Sequence, residues 1–100
     1  MVFKIIWSEE AYKSFLENIN YLRLNWSDKE IKKFTTELNK TILRIKKYPD
    51  SYPPSVKYPD IRKAKINKYI ILYYRYNEET SELSLITFWN NKQNPDKLKY

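Results

Sequence analysis

The chain has 100 residues and a formal net charge of +7, and it contains no Gly, no Cys and no His. Without Gly there is no Gly-rich loop that brings backbone close to a phosphate, so no nucleotide cofactor is expected. Without His or Cys, zinc and other transition-metal sites, disulfides and Ser-His or Cys-His nucleophiles are excluded. Any proton transfer must therefore use Lys, Tyr, Asp or Glu.

The length predicts a single domain over residues 1–100, with one modest core to which 17 aromatic residues contribute. No apolar run reaches 18 residues, and the apolar start of the chain is soon followed by charge. Neither a membrane span nor a signal peptide is predicted, so we expect a cytoplasmic protein with no membrane partner.

The positive charge is concentrated in one part of the sequence. From Lys40 to Arg75 there are ten basic and two acidic residues, a balance of +8, while the rest of the chain carries −1. A patch of this density attracts polyanions, of which phosphate backbones are the commonest. A solvated basic surface and an acidic protein partner are the alternatives.

The first half of the chain predicts a strand followed by two helices. Residues 2–7 are β-branched and aromatic, which predicts a strand. Ser8 then caps a first helix, and Ser27 with Glu30 forms the capping box of a second, which ends at Tyr48 before Pro49. Apolar residues recur at helical spacing in each helix: Ala11, Phe15, Ile19, Leu22 and Trp26 in the first, and Ile31, Phe34, Leu38, Ile42 and Ile45 in the second.

The second half predicts an exposed connection and three strands. Residues 49–60 hold four of the five Pro, which is typical of a loop. Strands are predicted at 61–67, 69–77 and 83–89, and their short connections favour an antiparallel meander. The fold class is therefore α+β in the order β-α-α-β-β-β, with a helical hairpin packed on one face of a mostly antiparallel four-stranded sheet.

This order and several local motifs resemble the RelE/ParE superfamily, the toxins of bacterial type II toxin-antitoxin modules. The motifs are Trp7-Ser8-Glu9-Glu10-Ala11, the Tyr48-Pro49 helix exit, Arg62-Lys63-x-Lys65, Ile70-Ile71-Leu72-Tyr73-Tyr74, and Phe88-Trp89 followed by Asn90-Asn91-Lys92-Gln93-Asn94-Pro95. The resemblance implies a small basic domain that a cognate antitoxin holds inactive. RelE-like members cleave messenger RNA in the ribosome, whereas ParE-like members inhibit DNA gyrase without nuclease activity.

The resemblance to RelE-like enzymes implies catalytic roles for four residues. Lys63 and Lys65 match a pair of strand lysines, and their two-residue spacing puts both on one face, where mutual repulsion favours loss of a proton from one of them. A solvent-facing edge strand that uses Lys to deter aggregation is the alternative. Lys92 occupies a basic position after the last strand, and Tyr100 is the candidate from the C-terminal tail.

Further residues are candidates for contact with nucleic acid. RelE-like enzymes carry a phosphate-binding Arg where this chain has Ile70, so Lys68 or Arg75 would have to substitute, and Arg62 adds to the basic strand. Trp89 can stack on a base, although strand aromatics also form cores. Asn91 and Gln93 can contact base edges or cap a turn.

These observations predict a type II toxin that inhibits bacterial growth by ribosome-dependent mRNA cleavage. Its expected partners are a cognate antitoxin, the ribosome and mRNA. Inhibition of DNA gyrase is the first alternative, because the strand Arg and a tail His are absent. A non-catalytic domain that binds RNA or an acidic protein is the second.

Overall fold

The computed structural model describes residues 3–92 and 98–100, and it has the predicted order of elements. Strand β1 spans Lys4–Trp7, and helices α1 and α2 span Glu9–Asn25 and Asp28–Lys47. Strands β2, β3 and β4 span Arg62–Lys65, Ile70–Asn77 and Glu82–Asn90. Along these residues no helix is both long enough and apolar enough to cross a membrane.

The four strands form one mixed sheet in the order β1-β4-β3-β2. The β2–β3 and β3–β4 pairs are antiparallel, as the short connections predict, and β1 pairs with β4 in parallel. The register of β3 against β4 shifts between Tyr73 and Tyr74, so Ile86 on β4 has no partner in the ladder. The α+β class and the mostly antiparallel sheet are confirmed.

The core lies between the helices and one face of the sheet. Apolar side chains of both helices and all four strands meet there; the fully buried ones include Leu22, Phe34, Ile45, Ile70, Leu72, Leu83 and Leu85. Beyond the end of β1, polar side chains of α1 bind the free edge of β4. The Ser14 hydroxyl accepts the Phe88 N–H at 2.9 Å, and the Asn18 amide donates to the Phe88 carbonyl at 3.2 Å.

The two predicted helix caps have different outcomes. The Ser8 hydroxyl accepts the Ala11 N–H at 3.0 Å, so this cap is confirmed. Ser27 occupies the N-cap position of α2, but its side chain makes no capping hydrogen bond, and the predicted capping box with Glu30 is wrong. The Glu30 N–H bonds instead to the main-chain carbonyl of Ser27 at 3.1 Å, which satisfies that donor without a side chain.

Candidate functional site

The candidate site lies on the face of the sheet that points away from the helices, which we call the outer face. Strand alternation puts Ala64, Leu72 and Phe88 into the core and their neighbours on the opposite side. The outer face is formed by Lys63, Lys65, Ile71, Tyr73, Arg75 and Trp89. Cations and aromatic rings therefore share one surface.

The two strand lysines lie at the positions where the sequence predicts them. Lys63 is paired in register with Tyr73, and Lys65 with Ile71, which is paired in turn with Trp89. Lys63 is half-buried and Lys65 is exposed. Both ammonium groups are thus carried by one face of β2, beside aromatic side chains.

The C-terminal residues fold back onto this face. The ring of Tyr100 packs on Tyr73 with 5.7 Å between centroids, and on Tyr58 with 5.9 Å. The Ser55 hydroxyl donates to the main-chain oxygen of Tyr100, and Lys57 Nζ donates to the Leu98 carbonyl at 3.0 Å. Tyr100 is therefore held at the outer face. Its ring covers Tyr73, which explains why Tyr73 is buried there.

The surroundings of Tyr100 favour the protonated phenol. Burial raises its pKa above the ordinary value near 10, and the carboxylate of Glu10 and the Tyr58 phenol raise it further, while Arg75 opposes them. Burial alone raises the pKa of Tyr73. Both phenols keep their protons at neutral pH, so they can donate a hydrogen bond or a proton but cannot act as bases.

Two grooves open beside Tyr100. One, of about 360 Å³, is bordered by Glu10, Arg75 and Ser84, and the other, of about 230 Å³, by Lys13, Thr87 and Trp89. Arg75 forms an exposed ion pair with Asp60 at 3.8 Å, which contributes little to stability and leaves the guanidinium accessible. Tyr100 therefore borders both grooves.

Lys92 belongs to a second cluster, at the end of the sheet where β4 stops. Its ammonium group lies 5.2 Å from the Tyr69 ring, and that of Lys68 lies at the same distance from the same ring. Tyr69 also contacts Trp26, with 5.1 Å between centroids. The described contacts therefore place Lys92 with Tyr69 and not with Tyr73 and Tyr100.

The other candidates for nucleic-acid contact are dispersed. Arg62 donates to the carbonyls of Tyr52 and Asp50, at 2.7 and 3.2 Å, so its guanidinium fixes the loop before β2. The exposed Asn91 donates to the Lys68 carbonyl at 3.1 Å. Gln93 lies outside the described residues.

Position 70 departs from the RelE-like pattern, because it carries Ile in place of a phosphate-binding Arg. Ile70 is fully buried in the core, on the side of the sheet opposite to Lys63 and Lys65. On this backbone, a phosphate-binding Arg at position 70 would have to occupy the core. Arg75 carries the guanidinium that does lie on the outer face.

Sequence reasoning missed the residues that hold Tyr100. Tyr73 could have been found from the strand pattern, because it alternates with the core residues of β3 and faces the Lys63 side. Ser55, Tyr58 and Glu10 carry no such signal, because a loop and a helix surface bring them together only in the folded chain.

Comparison with known proteins agrees with this fold. Residues 5–95 match the family described as the ParE toxin of the type II toxin-antitoxin system, parDE. A search of curated proteins returns no match. Two similar solved structures support the fold: a YoeB/ParE toxin from Agrobacterium tumefaciens and a copper-bound mutant toxin from Helicobacter pylori.

The structural likeness extends over nearly the whole of each chain. The Agrobacterium tumefaciens toxin is 14% identical, with a TM-score of 0.63 over 87% of this chain and 96% of that one. The Helicobacter pylori toxin is 20% identical, with a TM-score of 0.62 over 90% and 94%. With 91 of its residues matched by the family and the fold in agreement, the chain belongs to the ParE toxin family of type II toxin-antitoxin systems, within the RelE/ParE superfamily.

Proposed function

We propose that this toxin cleaves messenger RNA on the ribosome and that the outer face of its sheet carries out the reaction. The observation that carries the proposal is the packing of Tyr100 on Tyr73, next in register to Lys63 and within the electrostatic influence of Arg75. Two kinds of cation and a protonated phenol thereby share one face. Membership of the family implies that a cognate antitoxin is the partner of this chain.

The reaction needs a proton acceptor, positive charge and a proton donor. The 2′-oxygen of one nucleotide attacks the adjacent phosphorus, and the bond from phosphorus to the 5′-oxygen of the next nucleotide breaks. A 2′,3′-cyclic phosphate and a free 5′-hydroxyl result. One proton leaves the 2′-hydroxyl and one reaches the 5′-oxygen, so no other co-reactant is required.

Each role can be assigned to a residue of the outer face. We assign acceptance of the proton of the 2′-hydroxyl to Lys63 or Lys65, which share one face of β2. The remaining ammonium group and Arg75 neutralise the charge that develops on the phosphate. Tyr100, which is protonated at neutral pH and packs on Tyr73, donates the proton to the departing 5′-oxygen.

The second cluster suits contacts with neighbouring nucleotides. Lys92 and Lys68 both lie over Tyr69, where they can neutralise a phosphate as point charges. Trp89 borders one of the grooves beside Tyr100, where its ring can stack on a base. We therefore assign Lys92 to phosphate binding in the same reaction.

Inhibition of DNA gyrase is the second candidate function. Two observations favour it: residues 5–95 match the ParE toxin family, and position 70 of β3 carries a buried Ile in place of a phosphate-binding Arg. In that case the basic outer face would bind its target without breaking a bond. Lys63 and Lys65 would then contribute to affinity alone.

Expression of the chain in bacteria separates these functions when growth, transcript integrity and DNA supercoiling are followed together. Cleavage predicts growth arrest with truncated transcripts and normal supercoiling. Gyrase inhibition predicts arrest with intact transcripts, altered supercoiling and induction of the DNA-damage response. Growth without arrest, while the folded protein accumulates, would contradict both.

A pair of matched double variants tests the assignment of the site. Lys63→Ala with Lys65→Ala removes both outer-face lysines and should abolish transcript cleavage. Lys4→Ala with Arg23→Ala removes the same charge from exposed positions elsewhere and should leave cleavage unchanged. Retained cleavage by the first pair would show that this strand is not the site.

A further inference from the structure

The exposed side of α2 carries a row of six cations, which we call the α2 stripe. With 3.6 residues per turn, they fall within an arc of about 120° and span about 27 Å of the helix. The buried side chains of α2, such as Phe34 and Leu38, point in the opposite direction. All six are exposed: Lys29, Lys32, Lys33, Lys40, Arg44 and Lys47.

Among the described residues, no carboxylate forms an ion pair with the stripe. The acidic residues of α2 are Asp28, Glu30 and Glu37. The helical repeat puts all three outside the arc, although Glu37 borders it, one turn from Lys33 and Lys40, and offsets part of their charge. Among residues 3–92 and 98–100, the ion pair that forms joins Arg75 and Asp60, away from α2. The stripe therefore keeps a net positive charge along one side of the helix.

The stripe is separate from the outer face of the sheet. Because α2 joins the core through its buried side, the stripe faces away from the sheet. The basic segment from Lys40 to Arg75, predicted as one patch, is thus divided between two surfaces. Lys40, Arg44 and Lys47 belong to the stripe, whereas Lys63, Lys65 and Arg75 belong to the outer face. The proposed function accounts for the outer face and leaves the stripe without a role.

The composition of the stripe favours a nucleic acid over a protein partner. Five of its six cations are Lys, a residue that is depleted in protein interfaces, whose cores are rich in aromatic and apolar side chains. The one apolar residue within the arc is Leu43, at 66% exposure. A line of flexible ammonium groups with so little apolar surface suits a phosphate backbone, which is bound mainly through charge.

We propose that the α2 stripe docks on the phosphate backbone of duplex RNA while the outer face acts on another strand. A DNA duplex carries about one negative charge per 1.7 Å of its axis, or roughly 16 phosphates along 27 Å, and the density of an RNA duplex is similar. The number of phosphates therefore exceeds the number of cations and does not limit their contacts. Docking on a phosphate backbone stands on the stripe alone, whereas the choice of RNA, and of ribosomal RNA in particular, rests on the proposed function.

The test measures binding of the full chain, made by cell-free synthesis, to a 20-base-pair RNA duplex at several salt concentrations. A DNA duplex of the same sequence and a polyglutamate peptide are parallel probes. The stripe variant is Lys33→Gln with Lys40→Gln. Lys4→Gln with Arg23→Gln is the charge-matched control, and Lys33→Arg with Lys40→Arg keeps the stripe charged.

The proposal predicts that the stripe variant binds the RNA duplex about 10- to 100-fold more weakly at 0.1 M salt, because two phosphate contacts are lost. The slope of log K against log salt should become shallower by about 2, while both control pairs keep the slope of the parent chain. An equal effect on the DNA duplex also supports docking on a phosphate backbone. Melting temperatures of all variants should agree, since every changed side chain is exposed.

Unchanged RNA affinity and slope in the stripe variant would overturn the proposal. Weaker binding of the stripe variant to the DNA duplex alone would also overturn the proposal. Weaker binding to polyglutamate alone would overturn it in favour of an acidic protein partner. Binding is measured without ribosomes or cleavage, so it is independent of the proposed function. If the stripe effect is found but no transcript is cut, the docking stands and the proposed function fails.

Discussion

The ring of Tyr100 lies on the ring of Tyr73, with 5.7 Å between centroids and planes inclined by 35°. This contact joins the end of the described chain to the middle of β3, at the register position of Lys63. It converts a tail residue into a fixed part of the outer face. The proposed proton donor is therefore held in place before RNA arrives, which lowers the entropic cost of the reaction.

Tyr100→Phe should remove the proton donor and leave the packing intact. The ring contact with Tyr73 and the bond from Ser55 to the main chain do not involve the phenol hydroxyl. We expect transcript cleavage on ribosomes to fall by about 10²- to 10⁴-fold, the usual contribution of a general acid. Tyr58→Phe, which changes the other ring that contacts Tyr100, is the control and should cleave normally. Full activity of Tyr100→Phe would remove Tyr100 from the mechanism.

The fold should lose stability in alkaline solution. Burial raises the pKa values of Tyr73, Tyr74 and Tyr100 above the ordinary value near 10, so above pH 10 the folded chain holds more protons than the unfolded chain. These three groups therefore leave the free energy of unfolding unchanged below about pH 9 and lower it as the pH rises past 10. Urea unfolding from pH 7 to pH 11 measures this decline. It should be shallower in Tyr74→Phe, and an equal decline in that variant would contradict the role of Tyr74.

Tyr74→Phe should also destabilise the protein at neutral pH. The Tyr74 hydroxyl donates to the Pro49 carbonyl at 2.6 Å in the buried region between α2 and β3. Its removal leaves that carbonyl without this donor, at a cost of about 1–3 kcal/mol in the free energy of unfolding. Tyr12→Phe, at an exposed position of α1, should change stability by less than about 0.5 kcal/mol. Equal stability of the two variants would show that this hydrogen bond contributes nothing.

Ser14→Ala should weaken the attachment of α1 to β4. The Ser14 hydroxyl accepts the Phe88 N–H and donates to the Ala11 carbonyl at 3.1 Å, where β1 no longer covers the edge of the sheet. Loss of the acceptor leaves the Phe88 N–H unpaired, which should lower the free energy of unfolding by about 1–3 kcal/mol. Thr36→Ala removes a hydroxyl from the exposed side of α2 and should be nearly neutral. Chemical denaturation of both variants compares the two hydroxyls, and a neutral Ser14→Ala would contradict the proposed attachment.

The sequence was sufficient to predict the features that depend on periodicity. Alternation placed Lys63 and Lys65 on one face of β2, and helical spacing identified the buried sides of α1 and α2. These predictions succeed because one-sided burial imposes a repeat of two on strands and of 3.6 on helices. The Ser8 cap was predictable for a similar reason, since its partner is three residues away.

The sequence was insufficient where contacts are long-range. Tyr100 reaches Tyr73 across the sheet and Ser55 across a loop, and no local pattern encodes either contact. Counting charge along the chain likewise gave one basic patch, whereas α2 and β2 present their cations on different sides of the core. Such arrangements follow from the tertiary packing and not from the order of residues.

Cleavage in a reconstituted translation reaction tests the central claim most directly. The parent chain is added to ribosomes translating a defined mRNA, and the ends of the transcripts are analysed, with the Lys63→Ala and Lys65→Ala double variant in parallel. We predict fragments with 5′-hydroxyl ends that depend on ribosomes and are absent with the double variant. Intact transcripts in a reaction with the parent chain, together with inhibition of purified gyrase by the same preparation, would contradict the account.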